Sequence, residues 1–384
     1  MIKFVHCADL HLDSSFVSEN AQKASVRRKE LRETFVRMIE SAKDFLADIV
    51  LISGDLFDGK NITKDTTDLI MSLFASFPEC KFIISPGNHD FYTPDSVWNK
   101  ISFPENVFVF KSEELEKITL ENVGADREMV NVYGYAFTSQ NMENSPIRDF
   151  KVSESDKNDI NILCAHADIF SRSTNYCPMT AREIVDAGFD YGALGHVHTD
   201  GKIVREKDTW YGYSGSLEGQ SFHDCGERGA FFVELDKKEG RAECRCEFVP
   251  LAKRVYICED VDLSGSANTE DILEKVRAFA AKQGYDERTM LRLTLVGDVS
   301  PSASLPLEAI NAIFSNVFLL EIKDKTLPLF DCEALEGDLT VKGAFFRELL
   351  PYIRSEDERA REVASKALKY GLAALSGGEV IDFE

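Results

Sequence analysis

The chain has 384 residues, a formal net charge of −22 at pH 7 and a hydrophobic content of 44%, and it contains no uninterrupted apolar run long enough to cross a bilayer. This length predicts two or three folded units with a large core, and we expect a cytoplasmic protein without membrane contact. The nine cysteines include no Cys-x-x-Cys pair, so we expect reduced thiols. The charge excludes a broad basic surface, so a polyanionic substrate would depend on bound metal ions and small basic clusters.

The first part of the chain alternates apolar strands with amphipathic helices. Strands and helices are predicted, in turn, over residues 2–7, 26–46, 49–53, 63–76 and 81–85. Such alternation predicts parallel strands joined by right-handed crossovers. The basic cluster Arg27-Arg28-Lys29 falls in the first turn of the first helix, where we expect it to be solvated.

Shorter predicted strands follow, interrupted by a polar loop over 139–159 and a helix over 180–187. The strands lie near 107–110, 115–120, 130–137, 161–165, 191–195, 202–205, 210–214 and 229–235. The pattern predicts an α/β (α+β) sandwich, in which two β-sheets pack face to face with helices outside and polar residues gather at one edge.

The composition changes near Lys237-Lys238-Glu239-Gly240, and we predict three segments. The first covers 1–239, the second is a small α+β module over 240–330, and the third is a helical segment over 331–384. The helical segment carries two apolar stripes, formed by Phe346, Leu349, Leu350 and Ile353 and by Ala364, Leu368, Leu372 and Leu375. These stripes either cover the chain's own core or bind a partner, and the sequence leaves both readings open.

Polar side chains recur where predicted strands end. Five of the seven histidines lie in these positions, a concentration that scattered surface or core histidines would not produce. Because sites in open α/β sheets lie at the carboxyl ends of the strands, we expect the side chains to converge. The blocks are Asp9-Leu10-His11, Ser53 to Asp58, Ser85 to Asp90, His166 and Gly195-His196-Val197-His198.

The blocks contain more metal ligands than one ion can take. Imidazole nitrogens are mixed with carboxylate and amide oxygens in the set Asp9, His11, Asp55, Asn88, His166, His196 and His198. We therefore predict two divalent ions, with Asp55 as the bridging carboxylate. Such mixed ligation suits Mn²⁺, Fe or Zn²⁺ better than Mg²⁺ or Ca²⁺. Two such ions polarise a phosphoryl oxygen and activate water, which predicts phosphoester hydrolysis.

His89 is left over as a histidine that the ions do not need. A histidine beside a dinuclear site can protonate the leaving oxygen as general acid. Asp58 or Asp90 could hold its other ring nitrogen and keep the imidazole charged. We therefore predict that His89, Asp58 and Asp90 are the catalytic residues.

In their order and spacing, the blocks resemble those of the calcineurin-like metallophosphoesterases. The resemblance covers about the first 200 residues and implies the two-sheet sandwich described above. Carried over position by position, it implies that one ion is held by Asp9, His11, Asp55 and His198. The second ion would be held by Asp55, Asn88, His166 and His196.

Within this superfamily, the start His6 to Ser14 and the later Tyr213 to Ser216 and Glu227 to Gly229 resemble the DNA repair exonuclease branch, which includes SbcD-like and YhaO-like proteins. This resemblance implies a Mn²⁺-dependent DNA nuclease, with 1–239 as the catalytic domain and 240–330 as a DNA-capping domain. It further implies an SbcC-like coiled-coil ATPase as the partner of the C-terminal helices, and it leaves room for a homodimer. Asp13 departs from the Gly that better-known nuclease subunits carry there.

Two other functions remain open at this point. A phosphatase or cyclic-nucleotide phosphodiesterase could use the same site on a small substrate, which the acidic net charge favours. A non-catalytic scaffold could keep the site for structure alone, although an intact His89 argues against that role.

Overall fold

The structure is a computed structural model, which describes residues 1–16, 21–59, 61–198, 201–300, 303–329 and 332–375. The chain forms two compact units, Met1–Tyr256 and Ile257–Glu384. Among the described residues, no helix is both long enough and apolar enough to cross a membrane.

The first unit is built mainly from strands, with four α-helices and a one-turn 3-10 helix (Glu154–Asp156) among its described residues. In chain order the elements are β1 (Ile2–Cys7), α1 (Ala21–Phe45), β2 (Ile49–Ile52), α2 (Lys64–Ala75), β3 (Lys81–Ile84), α3 (Val97–Lys100), β4 (Val107–Val109), β5 (Glu116–Val123), β6 (Glu128–Gly134), β7 (Ile160–His166), α4 (Ala181–Ala187), β8 (Tyr191–Gly195), β9 (Lys202–Glu206), β10 (Thr209–Tyr213), β11 (Gly229–Lys238) and β12 (Arg241–Pro250).

These strands form two six-stranded mixed sheets, ordered β12-β11-β1-β2-β3-β4 and β5-β6-β7-β8-β10-β9. In the first sheet β1 to β4 run parallel, and the β11–β12 hairpin lies antiparallel beside β1. In the second sheet β6, β7, β8 and β10 run parallel between two antiparallel edge strands. The predicted two-sheet sandwich is therefore confirmed.

Alternating residues of the central strands pack on opposite faces of each sheet. From β2, Ile49 and Leu51 pack in the core between the sheets, whereas Val50 and Ile52 pack in the core that contains α1. The strand is apolar at every position because both of its faces are buried, which is typical of parallel sheets covered by helices. His6 also joins the two sheets, since its ring nitrogens lie 3.1 Å from Tyr191 Oη and 3.1 Å from Leu194 O.

The predicted boundary at 239 falls in the turn of the β11–β12 hairpin. Val233 pairs with Cys246 and Leu235 with Cys244, so β12 belongs to the first sheet, and the first compact unit continues to Tyr256. The Lys237 to Gly240 turn signal is therefore a hairpin turn. A composition change alone does not distinguish such a turn from a linker between domains.

The second unit contains a three-stranded sheet with helices. Its elements are β13 (Val255–Asp262), α5 (Thr269–Ala280), β14 (Thr289–Val296), β15 (Asp298–Val299), α6 (Leu307–Ile313), β16 (Leu319–Asp324), β17 (Leu327–Pro328), α7 (Cys332–Gly337), α8 (Val341–Ile353) and α9 (Glu358–Leu375). The sheet order is β13-β14-β16, and β14 and β16 run parallel. Phe346 on α8 and Leu368 on α9 are buried, whereas Val341, Tyr352 and Val363 are exposed.

Candidate metal centre

The carboxyl ends of parallel strands from both sheets carry the predicted site residues. Asp9 and His11 follow β1, Asp55 follows β2, and His166 is the last residue of β7. The backbone is left-handed at Asp9 (φ 53°), His11 (φ 47°), Asp55 (φ 51°) and His196 (φ 106°). Such conformations cost free energy in residues other than glycine and concentrate at functional sites.

Two glycines of the blocks are required by close packing around these side chains. Gly54 has a φ of 96°, and a Cβ there would collide with the ring of His166. A Cβ on Gly87 would collide with the carboxylate of Asp55. The Gly-Asp and Gly-Asn pairs of the sequence thus allow loops from different strands to approach one another.

A first group of ligand atoms comes from Asp9, His11 and His198, which all lie within 4.8 Å of one another. His11 Nδ1 lies 3.3 Å from Asp58 Oδ1, and His198 Nδ1 lies 3.8 Å from Asp224 Oδ1. The two Nε2 atoms lie 3.1 Å apart, and they face each other as lone pairs when each ring carries its proton on the Nδ1 that lies toward a carboxylate. Two lone pairs at that distance are stabilised by a cation between them.

A second group of ligand atoms comes from Asp9, Asp55 and His166. His166 Nδ1 donates to Ser53 O at 3.0 Å, which leaves its Nε2 lone pair facing Asn88 Oδ1 at 2.9 Å and Asp55 Oδ2 at 3.5 Å. Only acceptors converge at this point, as in a metal site whose histidine is oriented by a backbone carbonyl.

His196 is the one predicted ligand whose ring lies outside these groups. Its ring centroid is 5.1 Å from that of His166, and its backbone N–H donates to both carboxylate oxygens of Asp9 at 3.0 Å. Burial, followed by the effect of His166, lowers the pKa of His196 to about 4. The ring is therefore neutral at pH 7, the state in which histidine binds metals.

His89 and Asp58 form a pair at the edge of the two groups. Asp58 Oδ1 lies 3.2 Å from His89 Nδ1, and the His89 side chain is 46% exposed. The hydrogen bond with Asp58 raises the pKa of His89 despite partial burial. Burial raises the pKa of Asp58, but its hydrogen bonds with His11 and His89 outweigh that effect and lower it. The pair thus favours a protonated imidazole that solvent and substrate can reach.

Asp90, the alternative predicted partner of His89, instead holds the backbone. Its carboxylate accepts from Gly87 N at 2.7 Å and from Phe57 N at 3.2 Å. Burial, with the nearby charge of Asp55, raises the pKa of Asp90 to about 8. Among the described residues, no hydrogen bond joins the Asp90 carboxylate to the His89 ring, so its observed contacts are those of a loop-shaping residue.

Comparison with known proteins identifies the family. Residues 2–200 match the calcineurin-like phosphoesterases. The chain belongs to this family. It is therefore a metal-dependent phosphoesterase, and the resemblance stated from the blocks is confirmed at the level of the family.

The relatives of this phosphoesterase include named DNA repair proteins. It is 29% identical over 302 residues to the metallophosphoesterase YhaO of Bacillus subtilis, covering 77% of this chain and 72% of that protein. It is 24% identical over 344 residues to the SbcD component of the SbcCD nuclease of Staphylococcus saprophyticus, covering 83% and 84%. It is also 22% identical over 291 residues to the DNA double-strand break repair protein Mre11 of Methanopyrus kandleri, covering 72% and 62%.

The donor set of this phosphoesterase fits divalent cations. Asp9 and Asp55 are fully buried, and burial together with the charge of Asp55 raises the pKa of Asp9 well above its usual range. Neighbouring histidines outweigh the effect of burial on Asp55 and lower its pKa. The charges of these buried carboxylates are not fully compensated by the neighbouring imidazoles. Carboxylate oxygens and imidazole nitrogens in this situation are typical ligands of divalent metals.

Two residues that contribute to the site were not predicted from the sequence. Asp224 is buried beside His198 although it lies in a polar loop of the sequence, and its carboxylate accepts from Gln220 N at 2.9 Å. Tyr176 packs its ring against His196, with centroids 4.9 Å apart. Neither residue follows a strand in the first sheet or belongs to a recognisable block, so the sequence carried no local signal for them.

Proposed function

We propose that this phosphoesterase is a Mn²⁺-dependent nuclease that hydrolyses phosphodiester bonds of DNA. The observation that carries the proposal is the His89–Asp58 pair, in which a 46% exposed imidazole lies 3.2 Å from a carboxylate oxygen, beside two groups of candidate metal ligands. A site that only bound metal for structural purposes would not need this exposed proton donor.

The proposed ligand assignment follows the blocks. One ion is assigned to Asp9, His11, Asp55 and His198, and the other to Asp55, Asn88, His166 and His196. Bound ions at these positions would polarise the phosphoryl group and activate the attacking water. The mixture of imidazole and hard oxygen donors favours Mn²⁺ over Mg²⁺ or Ca²⁺.

The protein's own chemical step is proton transfer to the leaving oxygen. His89 donates this proton from Nε2, while Asp58 lies at Nδ1 and stabilises the charged ring. Because Asp58 Oδ1 also lies 3.3 Å from His11 Nδ1, the same carboxylate orients both a proposed metal ligand and the proton donor. The roles of Asp58 and His89 are thus coupled by geometry.

DNA is favoured as substrate by two of the relatives, which are named a DNA double-strand break repair protein and a component of the SbcCD nuclease. The net charge of −22 opposes nonspecific binding of polyanions, so DNA binding would depend on the metal ions and local contacts. We assign the part of the second unit that precedes residue 331 to DNA access, because it contains most of the capping module expected over 240–330.

The C-terminal helices are proposed to bind an SbcC-like ATPase, because one relative is a component of the SbcCD nuclease. Phe346 belongs to the core, since it is fully buried, whereas Val341 on α8 and Val363 on α9 are 68% and 61% exposed. Val341→Glu and Val363→Glu should abolish co-purification with that ATPase without lowering the melting temperature. Unchanged co-purification would remove these helices from the proposed interface.

A second candidate is a phosphatase or cyclic-nucleotide phosphodiesterase. The acidic charge favours a small substrate, and the relative YhaO carries only the general name of a metallophosphoesterase. One assay separates the two: release of nucleotides from linear duplex and single-stranded DNA with Mn²⁺, beside a phosphomonoester and a cyclic nucleotide. Hydrolysis of the small substrates alone would reject the nuclease.

A further inference from the structure

An exposed aromatic ring follows one of the proposed metal ligands in the chain. Phe170, four residues after His166, is 76% exposed. A single exposed hydrophobic side chain needs no special explanation on a protein surface. What distinguishes Phe170 is that the surrounding residues hold it in one orientation and in one place.

The ring of Phe170 stacks on that of Tyr213, with centroids 5.6 Å apart and planes inclined by 25°. Tyr213 Oη donates to Ala167 O at 2.8 Å and accepts from Ile169 N at 3.0 Å. One face of the Phe170 ring is thus supported by a side chain that is itself bonded to the residue following His166. Most of the rest of the ring is left to solvent.

The backbone under the ring is also held. Asp168 Oδ1 accepts from Phe170 N at 2.8 Å and from Ser171 N at 3.2 Å, and Asp168 N donates to Tyr176 O at 3.1 Å. Tyr176 in turn packs against the ring of His196. The segment 167–176 therefore contacts two proposed metal ligands and presents Phe170 as a pre-ordered surface.

We propose that Phe170 is a stacking platform for an unpaired nucleobase of the strand whose phosphodiester is hydrolysed. This inference rests on the proposed nuclease function and specifies its substrate as a single strand or a frayed end. A base inside a duplex is covered on both faces by its neighbours, so it must leave the stack before it can lie on a protein ring. Stacking on aromatic side chains tolerates any base, which suits a nuclease without sequence preference.

The surroundings fit this occupant. Arg172, two residues further on, is exposed and makes no ion pair with any residue that the structure describes. In a chain with a net charge of −22, a guanidinium that is not held in such an ion pair, two positions along the chain from Phe170, is available to a backbone phosphate. A small phosphomonoester without a base offers nothing to the ring, so the platform has a use only for a substrate that carries a nucleobase.

The first test measures binding by the full chain at low salt with Mn²⁺, in the His89→Ala background, which slows hydrolysis. The probes are single-stranded oligonucleotides with 2-aminopurine at either terminus, whose fluorescence falls on stacking. In this background, the chain with Phe170 intact and Phe170→Trp should quench one of the two probes. Phe170→Ala should bind that probe on the order of tenfold more weakly and lose the quenching. Leu46→Ala, which truncates another exposed side chain (73%) of the first unit, should behave as wild type.

The second test compares hydrolysis of an ordinary oligonucleotide with that of one whose terminal nucleotides are abasic. Phe170→Ala should raise KM for the ordinary strand about tenfold, keep kcat, and leave the abasic strand unaffected. If the variant hydrolyses both strands but retains the wild-type ratio of KM values and the quenching, the platform is disproved while the nuclease stands. If wild type hydrolyses a phosphomonoester but neither strand, the nuclease proposal fails, and the platform fails with it.

Discussion

Two clusters of buried ionisable side chains in the first unit differ in how the loss of solvent around their charges is compensated. The metal centre gathers Asp9, Asp55 and Asp90 with several histidines, and at His166 Nε2 only hydrogen-bond acceptors converge. The second cluster, which we call the arginine cluster, consists of Arg27, Glu30, Glu218 and Arg254. There every charge has an opposite partner.

Each charged side chain of the arginine cluster has a hydrogen-bonded partner of opposite charge. Arg27 donates to Glu30 at 2.8 Å and to Glu218 at 3.0 Å, and Arg254 Nε donates to Glu30 at 3.0 Å. Burial raises the pKa of Glu30, but the hydrogen bonds from Arg254 and Arg27 outweigh it and lower the value. At the metal centre burial prevails for Asp9 and Asp90. The effect of burial on a carboxylate is thus outweighed where cationic partners are present, and it predicts a bound cation where they are missing.

The largest effect is expected for kcat, in two variants that separate proton transfer from metal binding at the metal centre. His89→Ala should lower kcat by about 10²–10⁴-fold, because the leaving oxygen departs unprotonated, while both ions are retained. His198→Ala should lose metal as well as activity. Elemental analysis and kcat measured on the same preparations check this, and loss of both ions in His89→Ala alone would reverse the assignment.

Removing one partner from the arginine cluster should destabilise the fold without changing the catalytic rate of the folded protein. Arg27→Met leaves Glu218 buried without its cation, which should lower the free energy of unfolding by about 3–5 kcal/mol. Urea unfolding of the metal-free chain measures it. The double variant Arg27→Met with Glu218→Gln should recover part of the loss; a strictly additive loss would show that the two side chains are not coupled.

The contribution of the arginine cluster to stability should depend on pH through the charge of Glu30. Because the folded-state pKa of Glu30 is lowered, its stabilisation is present above the unfolded value and is lost as pH falls below about 4.3. Thermal melts of wild type and Glu30→Gln should therefore differ most at pH 7 and converge in acid. A difference that stayed constant down to pH 3 would show that the charge of Glu30 contributes nothing.

The smallest effect is expected at Asp13, which lies next to the centre but is compensated like the arginine cluster. Its carboxylate accepts from Thr63 N at 2.7 Å, Thr66 Oγ1 at 2.7 Å and Arg32 at 3.2 Å, and its φ is 66°. Asp13→Ala should cost about 1–3 kcal/mol of stability. Asp13→Gly should cost about 1 kcal/mol less, since glycine adopts positive φ freely. Mn²⁺ affinity measured by calorimetry should hardly change; a large loss would assign Asp13 to the metal centre.

The sequence alone predicted most strands and helices of the first unit because their signals are local. The strands β1, β2, β3, β7 and β8 are apolar runs that end in the polar blocks, and the gathering of these blocks at one edge follows from parallel topology. The family, too, could be recognised from these blocks. The position of the domain boundary was harder to predict from the sequence, because a hairpin turn and a linker between domains contain the same kinds of polar residue.

Only the tertiary structure decided which charges pair and which do not. Arg27 was expected in solvent, yet it is fully buried, because Glu218 reaches it from 191 positions away in the chain. Likewise, Asp58 rather than Asp90 lies at His89, and Asp224 and Phe170 lie near the centre through loops without any motif. Residue type and spacing determine where a strand ends and what it carries. The pairing of side chains across loops depends on distances that only the packed sheets set.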